Sequence, residues 1–193
     1  MPQKLKITAI MGSPRQGGNT DILLSEALRA VADCGLSVTL FRAAEMNVSP
    51  CTHCGGCDST GECVVEDDMS QVYAAIRQSD RIIVASPVFF FGLPAQLKTV
   101  VDRCQALWCE KYLLNRPIPE GDAGRRGLLI MPGGMKKDAG FNCAGMSVMT
   151  FFRSISVASH ESLYFPGIDA KGAINNHPTA LADVYKAAGN LLR

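Results

Sequence analysis

The sequence lacks an excess of charge of either sign, and this excludes one broad class of partner. It contains 19 Lys and Arg residues and 18 Asp and Glu residues, for a formal net charge of +1. A protein that binds nucleic acid through phosphate contacts needs a clear excess of basic residues. We therefore expect no nucleic-acid partner.

Long apolar runs are lacking as well. No run approaches the roughly 20 consecutive apolar residues that a membrane-spanning helix requires, so we expect no membrane partner. The first residues lead directly into a strand-like run, without the basic, apolar and small-residue pattern of an export signal. These features predict a cytoplasmic protein.

What the sequence has is enough apolar material for a folded core. Hydrophobic residues make up 47% of the chain and charged residues 19%, which argues against disorder. A length of 193 residues suits one domain and is short for two. Since no linker, repeat or low-complexity stretch is visible, we expect a single domain over residues 1–193.

Strand-like apolar runs alternate with segments of helical period. The strand-like runs are 5–11, 37–42, 81–86, 127–131 and 162–165, and the helical segments are 20–34, 69–76, 97–108, 147–157 and 181–192. The third run is the clearest, and its apolar character is typical of a central parallel strand that is covered on both faces. The alternation predicts an α/β fold, a single doubly wound domain whose five-stranded parallel sheet has helices on both faces. Ligands in such folds bind at the carboxyl ends of the strands.

The loop after the first strand has a composition that suits a phosphate group. Residues 12–20 contain three glycines, short hydrogen-bonding side chains and Arg15, and they end at the start of a helix. Backbone N–H groups and the helix dipole favour an anion at such a place. Neither a P-loop nor a G-x-G-x-x-G pattern is present. The alternative is an ordinary turn in which Asn19 or Thr20 caps the helix.

Half of the eight cysteines lie in one short segment with the spacing C-x2-C-x2-C-x5-C. They are Cys51, Cys54, Cys57 and Cys63. Clustered cysteines in a reducing compartment more often bind metal or do redox work than form disulfides. The close spacing is typical of ligands of a 4Fe–4S cluster, whereas structural zinc usually takes two separated pairs. Zinc, free thiols and a disulfide remain alternatives.

The positions of the other cysteines give weaker indications of a chemical role. Cys34, Cys104 and Cys109 fall in the helical segments, where we expect them to be small buried hydrophobic residues. Cys143 is expected in the loop before the fourth helix.

Two motifs at strand ends resemble those of the flavodoxin-like NAD(P)H-dependent FMN reductase family. The first is Gly-Ser-Pro-Arg at 12–15 followed by Gly-Asn-Thr at 18–20, and the second runs from 86 to 98 and continues to Asp102 and Arg103. The cysteine segment resembles that of the iron–sulfur flavoprotein branch of the family. Phe89 stands where many members carry tyrosine.

The resemblance implies FMN as cofactor, NAD(P)H as co-substrate and a 4Fe–4S cluster on the four cysteines. It implies no catalytic side chain, because the flavin performs the chemistry. The residues placed around the phosphate are Ser13, Arg15, Gly18, Asn19 and Thr20, and those around the flavin ring are Pro87, Val88, Phe89, Phe90, Gly133 and Gly134. At least one ring of the Phe89–Phe91 run is expected to pack in the core or at a subunit interface instead.

The expected function is that of a flavin-dependent oxidoreductase. It would move electrons between NAD(P)H, or a reduced carrier such as ferredoxin, and a small-molecule acceptor through FMN and the cluster. The alternatives are a cluster-free NAD(P)H-dependent FMN or quinone reductase, a non-enzymatic electron carrier, and a redox sensor that acts through its cysteines. The resemblance also implies a homodimer or homotetramer.

Overall fold

A computed structural model describes residues 5–121 and 124–193, so the N-terminal residues 1–4, on which the expectation of no export signal partly rests, lie outside the described residues. Its centre is a five-stranded sheet with the strand order β2-β1-β3-β4-β5. The strands, all parallel, are β1 (Ile7–Met11), β2 (Val38–Arg42), β3 (Arg81–Ala85), β4 (Arg126–Gly133) and β5 (Ser159–Pro166). The expected α/β fold with a five-stranded parallel sheet is confirmed.

Helices cover both faces of this sheet. They are α1 (Asn19–Asp33), α2 (Met69–Gln78), α3 (Ala95–Arg103), α4 (Gln105–Trp108), α5 (Ala139–Ser154) and α6 (Ala180–Leu191). Two separate apolar clusters form the core: α1 and α6 contribute to one, and α2, α3 and α5 to the other. None of the helices within the described ranges is long and apolar enough to cross a membrane.

The third strand shows why the sheet is buried on both sides. Ile83 and Ala85 belong to the cluster with α1, while Ile82 and Val84 belong to the cluster with α2. Successive side chains of a strand point to opposite faces, so a strand between two helical layers needs an unbroken apolar run.

The fourth helix starts eight residues earlier than expected, at Ala139 rather than at 147. Gly140 and Gly145 weaken the helical pattern in the sequence, since glycine is a poor helix former. Tertiary packing requires them: a Cβ at Gly145 would lie 2.5 Å from the Tyr164 hydroxyl. As a result Cys143, expected in a loop, lies on α5 and is exposed.

The expected helix over 97–108 is interrupted. It ends at Arg103, resumes as α4 and passes into a π-helical turn over Cys109–Leu113. Cys104 and Cys109 are buried, as expected. The expectation for Cys34 is wrong, because this residue follows the last turn of α1 and is exposed.

Candidate functional site

A cavity of about 260 Å³ opens at the carboxyl ends of the strands. Four chain segments form it, namely those that follow β1, β3 and β5, and the end of β4 with the adjoining Gly134. The lining residues are Ser13, Pro14, Arg15, Gly18, Asn19, Thr20, Pro87, Val88, Phe89, Pro132, Gly133, Gly134, Ile168 and Asp169. The structure therefore brings together every expected cofactor-binding residue except Phe90.

The segment after β1 has a fixed shape at the start of α1. The Ser13 hydroxyl accepts a hydrogen bond from the Arg15 N–H at 3.2 Å, and the Asp21 carboxylate accepts one from the Gly17 N–H at 2.8 Å. Arg42 holds the same carboxylate at 3.0 Å. The first N–H groups of α1 have no partner within the helix, as at any helix N-terminus, and Gly18, Asn19 and Thr20 line the cavity there.

The Asn19 side chain links two segments of the cavity wall. Its amide group donates a hydrogen bond to the Ala170 carbonyl at 2.9 Å, and its oxygen accepts one from the Ile174 N–H at 3.2 Å. The side chain thus holds the segment after β5 against α1. The part of Asn19 that remains available to an anion is its backbone N–H.

The segment after β3 forms a tight turn closed by two reciprocal bonds. Phe89 donates to the Gly92 carbonyl at 3.0 Å, and Gly92 donates to the Phe89 carbonyl at 2.8 Å. Phe90 and Phe91 between them have φ angles of 46° and 61°. Phe90 is fully exposed and is not part of the cavity lining, and none of the three rings packs in the core of this chain.

Sequence reasoning missed the contribution of the segment after β5. Ile168 and Asp169 line the cavity, and a Cβ at Gly134 would lie 3.1 Å from the Asp169 side chain. The signal was available, because β5 neighbours β4 in a parallel sheet and its carboxyl end must reach the same edge. Pro14 and Pro132 were also missed, although Pro14 lies within the Gly-Ser-Pro-Arg motif and Pro132 directly precedes Gly133.

The four cysteines of the 51–63 segment line a second cavity. Cys51 and Cys54 are exposed, whereas Cys57 and Cys63 are half-buried. The opposite wall comes from the end of α3 and the start of α4, through Arg103, Gln105 and Ala106. The sequence motif therefore corresponds to one concave site.

Arg103 anchors the chain around this second cavity. Its guanidinium is 1% exposed, forms an ion pair with Asp67 at 2.5 Å and donates to the Ser49 carbonyl at 2.8 Å and the Val65 carbonyl at 3.2 Å. Its Nε has no hydrogen-bond partner among the described residues. A buried N–H without a partner is costly, and here it belongs to a residue that lines the cavity.

The pKa of Asp67 is set by two opposing effects. Burial would raise this pKa, but hydrogen bonds from Arg103 and from the N–H groups of Ser49 and Met69 lower it below its usual range. Both backbone bonds are 3.0 Å long. The carboxylate is thus held in its ionised form between the cysteine segment and α2.

A fifth cysteine, Cys109, lies next to the four-cysteine segment although it belongs to a distant part of the sequence. The Sγ of Cys109 lies 3.6 Å from the Sγ of Cys57, 3.4 Å from Oδ1 of Asp58 and 3.5 Å from Nε2 of Gln105. Burial, together with these sulfur and carboxylate neighbours, raises the pKa of Cys109 to about 12. Sequence reasoning treated Cys109 as a small core residue, and no spacing pattern relates it to Cys57.

Comparison with known proteins shows the family of this chain. Residues 5–161 match the family described as NADPH-dependent FMN reductase. The chain belongs to this family. The matched range includes the cysteine segment and the cavity segments that follow β1, β3 and β4.

Among its relatives is an iron-sulfur flavoprotein of Methanocaldococcus jannaschii, 39% identical over 58% of this chain and 58% of the relative. Another, an iron-sulfur flavoprotein of Archaeoglobus fulgidus, is 34% identical over 76% of this chain and 70% of that protein. The chain thus matches less than two thirds of the length of the first relative.

Solved structures support the fold. An NAD(P)H:quinone oxidoreductase from Methanothermobacter marburgensis superposes with a TM-score of 0.77 over 99% of this chain and 98% of that one. The two sequences are 15% identical. At that identity the likeness establishes the shared architecture alone.

Proposed function

We propose that the protein is an FMN-dependent oxidoreductase that takes electrons from NAD(P)H and passes them to a small-molecule acceptor. The observation that carries this proposal is the cavity at the carboxyl ends of the strands, whose wall combines a helix N-terminus with an apolar ledge. A flavin mononucleotide needs both features, an anion site for its phosphate and an apolar surface for its ring.

The residues of this cavity fit the two ends of FMN. At the phosphate end, Ser13, Arg15 and Thr20 would supply hydroxyl and guanidinium donors beside the N–H groups of α1. At the ring end, Pro87, Val88 and Phe89 would form the ledge, with the backbone of Gly133 and Gly134 on the other side. A Cβ at Gly133 would lie 3.1 Å from Phe141, so this wall has little room for a side chain.

When bound, FMN supplies hydride acceptance and the release of electrons singly or in pairs. The protein contributes binding, orientation and exclusion of water. Val88 and Phe89 would cover the apolar face of the flavin ring. The tight turn closed by Phe89 and Gly92 keeps this ledge in place. We propose no acid–base side chain for the reaction.

We further propose that Cys51, Cys54, Cys57 and Cys63 hold a 4Fe–4S cluster. Their chemistry fits, since four thiols line one cavity, and the same wall includes Arg103, whose buried Nε has no partner within the described part of the chain. Hydrogen bonds to cluster sulfur atoms and nearby positive charge are among the means by which proteins tune such groups. The names of the matched relatives also support this assignment.

The electron partners follow from which groups are bound. With the cluster present, a reduced carrier such as ferredoxin can exchange single electrons with the protein. Without it, the protein is an NAD(P)H-dependent flavin or quinone reductase. The third possibility, a non-enzymatic carrier, predicts stoichiometric reduction by a partner in place of catalytic consumption of NAD(P)H.

We also propose that the protein works as a homodimer or homotetramer. Phe90 and Phe91 are exposed next to the cavity, and Met146 on α5 is exposed as well. Apolar rings presented in this way mark contact surfaces. A second copy that covers Phe90 and Phe91 would also close the open side of the flavin cavity.

The proposal is tested on anaerobically purified, FMN-loaded protein. Catalytic oxidation of NADH or NADPH with a quinone as acceptor supports the enzyme, and stoichiometric oxidation alone would refute it in favour of a carrier.

For the cluster, iron and sulfide are measured in wild type, Cys54→Ser and the control Cys34→Ser. The expected result is about four irons per chain, lost in Cys54→Ser and kept in Cys34→Ser.

A further inference from the structure

The structure assigns a second metal site to this protein: Cys57, Asp58 and Cys109 bind a single thiophilic divalent cation such as Zn²⁺. The site shares Cys57 with the four-cysteine motif, and it takes Cys109 from a different part of the chain. The two metal groups therefore compete for Cys57, since an ion held by Cys57, Asp58 and Cys109 takes this thiolate from the ligand set of a four-cysteine cluster.

The distances between the donor atoms match those around one ion. The two sulfur atoms and the carboxylate oxygen all lie within 4.8 Å of one another. A tetrahedral zinc ion with Zn–S bonds of about 2.3 Å and a Zn–O bond of about 2.0 Å places sulfur atoms about 3.8 Å apart and sulfur and oxygen about 3.5 Å apart. The observed separations are 3.6 Å between the sulfurs and 3.4 Å from Cys109 Sγ to Asp58 Oδ1.

The chemistry of the donors is that of a zinc site. Two thiols and one carboxylate form a mixed set of sulfur and oxygen ligands. The Gln105 side chain lies 3.5 Å from Cys109 Sγ, and over residues 5–121 and 124–193 its amide group has no other hydrogen bond, so its oxygen or a water molecule can take the fourth position. As the ion binds, the two S–H protons pass to the solvent and two Zn–S bonds form.

Packing between two segments of the chain holds the three ligands together. Arg116 donates to the Thr60 carbonyl at 2.6 Å, and a Cβ at Gly61 would lie only 2.9 Å from Cβ of Glu110. Glu110 is in turn paired with Arg77 on α2 at 2.8 Å. The cysteine segment is thus docked on the turn that carries Cys109, which fixes the approach of Cys109 to Cys57.

The backbone at Cys109 is itself unusual. The π-helical turn begins there, and the Leu114 N–H donates to the Cys109 carbonyl at 3.0 Å, five residues back. Such turns occur often at functional sites. Cys109 is buried while Asp58 is exposed, so an ion can enter from the side of Asp58.

The test uses the full-length, FMN-loaded protein. Its cysteine thiols are kept reduced, and bound metal is removed with a chelator. Zn²⁺ affinity is measured by competition with a chromogenic chelator, and Co²⁺ is used to detect thiolate ligands at wavelengths beyond the flavin absorption. We expect one ion per chain. Cys109→Ser and Asp58→Asn should each weaken binding by roughly tenfold or more, and Cys109→Ser should also weaken and shift the cobalt d–d bands, which lie at longer wavelength than the flavin bands.

Two further variants separate this site from its rivals. Cys34→Ser, an exposed cysteine elsewhere on the chain, is the matched control and should bind Zn²⁺ like wild type. If zinc is instead held by the four-cysteine motif, Cys54→Ser will weaken binding and Cys109→Ser will not, and the assignment is overturned. It is also overturned if no variant changes the affinity, or if the wild type binds no ion.

Competition with the cluster gives an independent readout. Zn²⁺ added before reconstitution with iron and sulfide should reduce cluster yield in wild type, whereas Cys109→Ser should tolerate it. If the chain forms no cluster under any condition, the cluster proposal fails, while the direct Zn²⁺ titration still decides the second metal site.

Discussion

Asp67 and Arg103 form a buried ion pair, with Oδ2 and Nη1 2.5 Å apart and both side chains at most 5% exposed. The pair joins the stretch between the cysteine segment and α2 to the last residue of α3. This helix begins just after the segment that carries Phe89 and, with nine residues, spans about 13 Å. The two candidate cofactor sites are therefore connected by one short helix and one ion pair.

The first prediction concerns the stability that depends on this pair. Asp67→Asn should lower the free energy of unfolding by about 3 kcal/mol, because it leaves the buried Arg103 charge without its counter-ion. Denaturant unfolding of the metal-free protein measures the change. Asp102→Asn is the control, since it breaks an exposed pair with Lys98 and should cost about 0.5 kcal/mol or less. Equal losses in the two variants would contradict this assignment.

The second prediction is a loss of stability in acid. Because the pKa of Asp67 is lower in the folded state than in the unfolded chain, its contribution is present above its ordinary pKa and lost as pH falls through the folded value. Stability should therefore decline below about pH 4. Unfolding of wild type and Asp67→Asn over this range checks the sign. A difference between the two proteins that grows as pH falls would be the wrong direction.

The third prediction tests the docking of the cysteine segment. Gly61→Ala adds a Cβ 2.9 Å from Cβ of Glu110 at a φ of +76°. Gly35→Ala has a similar φ of +70° with nothing within 4 Å, so it isolates the backbone cost. We expect Gly61→Ala to destabilise the protein by about 1 kcal/mol more than Gly35→Ala and to weaken zinc binding. Identical unfolding midpoints would show that the contact with Glu110 is not tight.

The fourth prediction separates neighbouring phenylalanines. Phe89 lines the flavin cavity and Phe90 does not. Phe89→Ala should therefore raise the dissociation constant for FMN by about tenfold, whereas Phe90→Ala should change it by less than about threefold. Flavin fluorescence quenching measures both. In size-exclusion chromatography with light scattering, Phe90→Ser should shift the proposed oligomer toward monomer. A larger effect of Phe90 than of Phe89 on FMN affinity would contradict the cavity assignment.

The sheet and its order of elements could be read from the sequence because each element has a local pattern. The apolar run of β3 and the stripe of α1 are examples of such patterns. Helix α5 was placed too late, since Gly140 and Gly145 have packing roles that become visible only in the folded chain, where Gly140 lies against Met135 and Gly145 against Tyr164. Local propensity and tertiary packing disagree there, and packing prevails.

The candidate sites also contain residues that local sequence patterns reveal and residues that only the folded structure reveals. Motifs that are continuous along the chain, such as the segment after β1 and the four cysteines, could be found from spacing. Asp169 could have been found from topology, because β5 lies beside β4. The approach of Cys109 to Cys57 could not be predicted, since the two residues are 52 positions apart and meet only through the docking of two irregular segments.

The most direct test of FMN binding is a titration of flavin-free protein with FMN, in which binding is monitored by flavin fluorescence. Thr20→Val is the matched variant. Thr20 is buried at the start of α1, and valine keeps its shape while removing the hydroxyl. We predict saturation at one FMN per chain, with the variant about tenfold weaker. Absence of saturable binding in the wild type would contradict the assignment of FMN to this cavity.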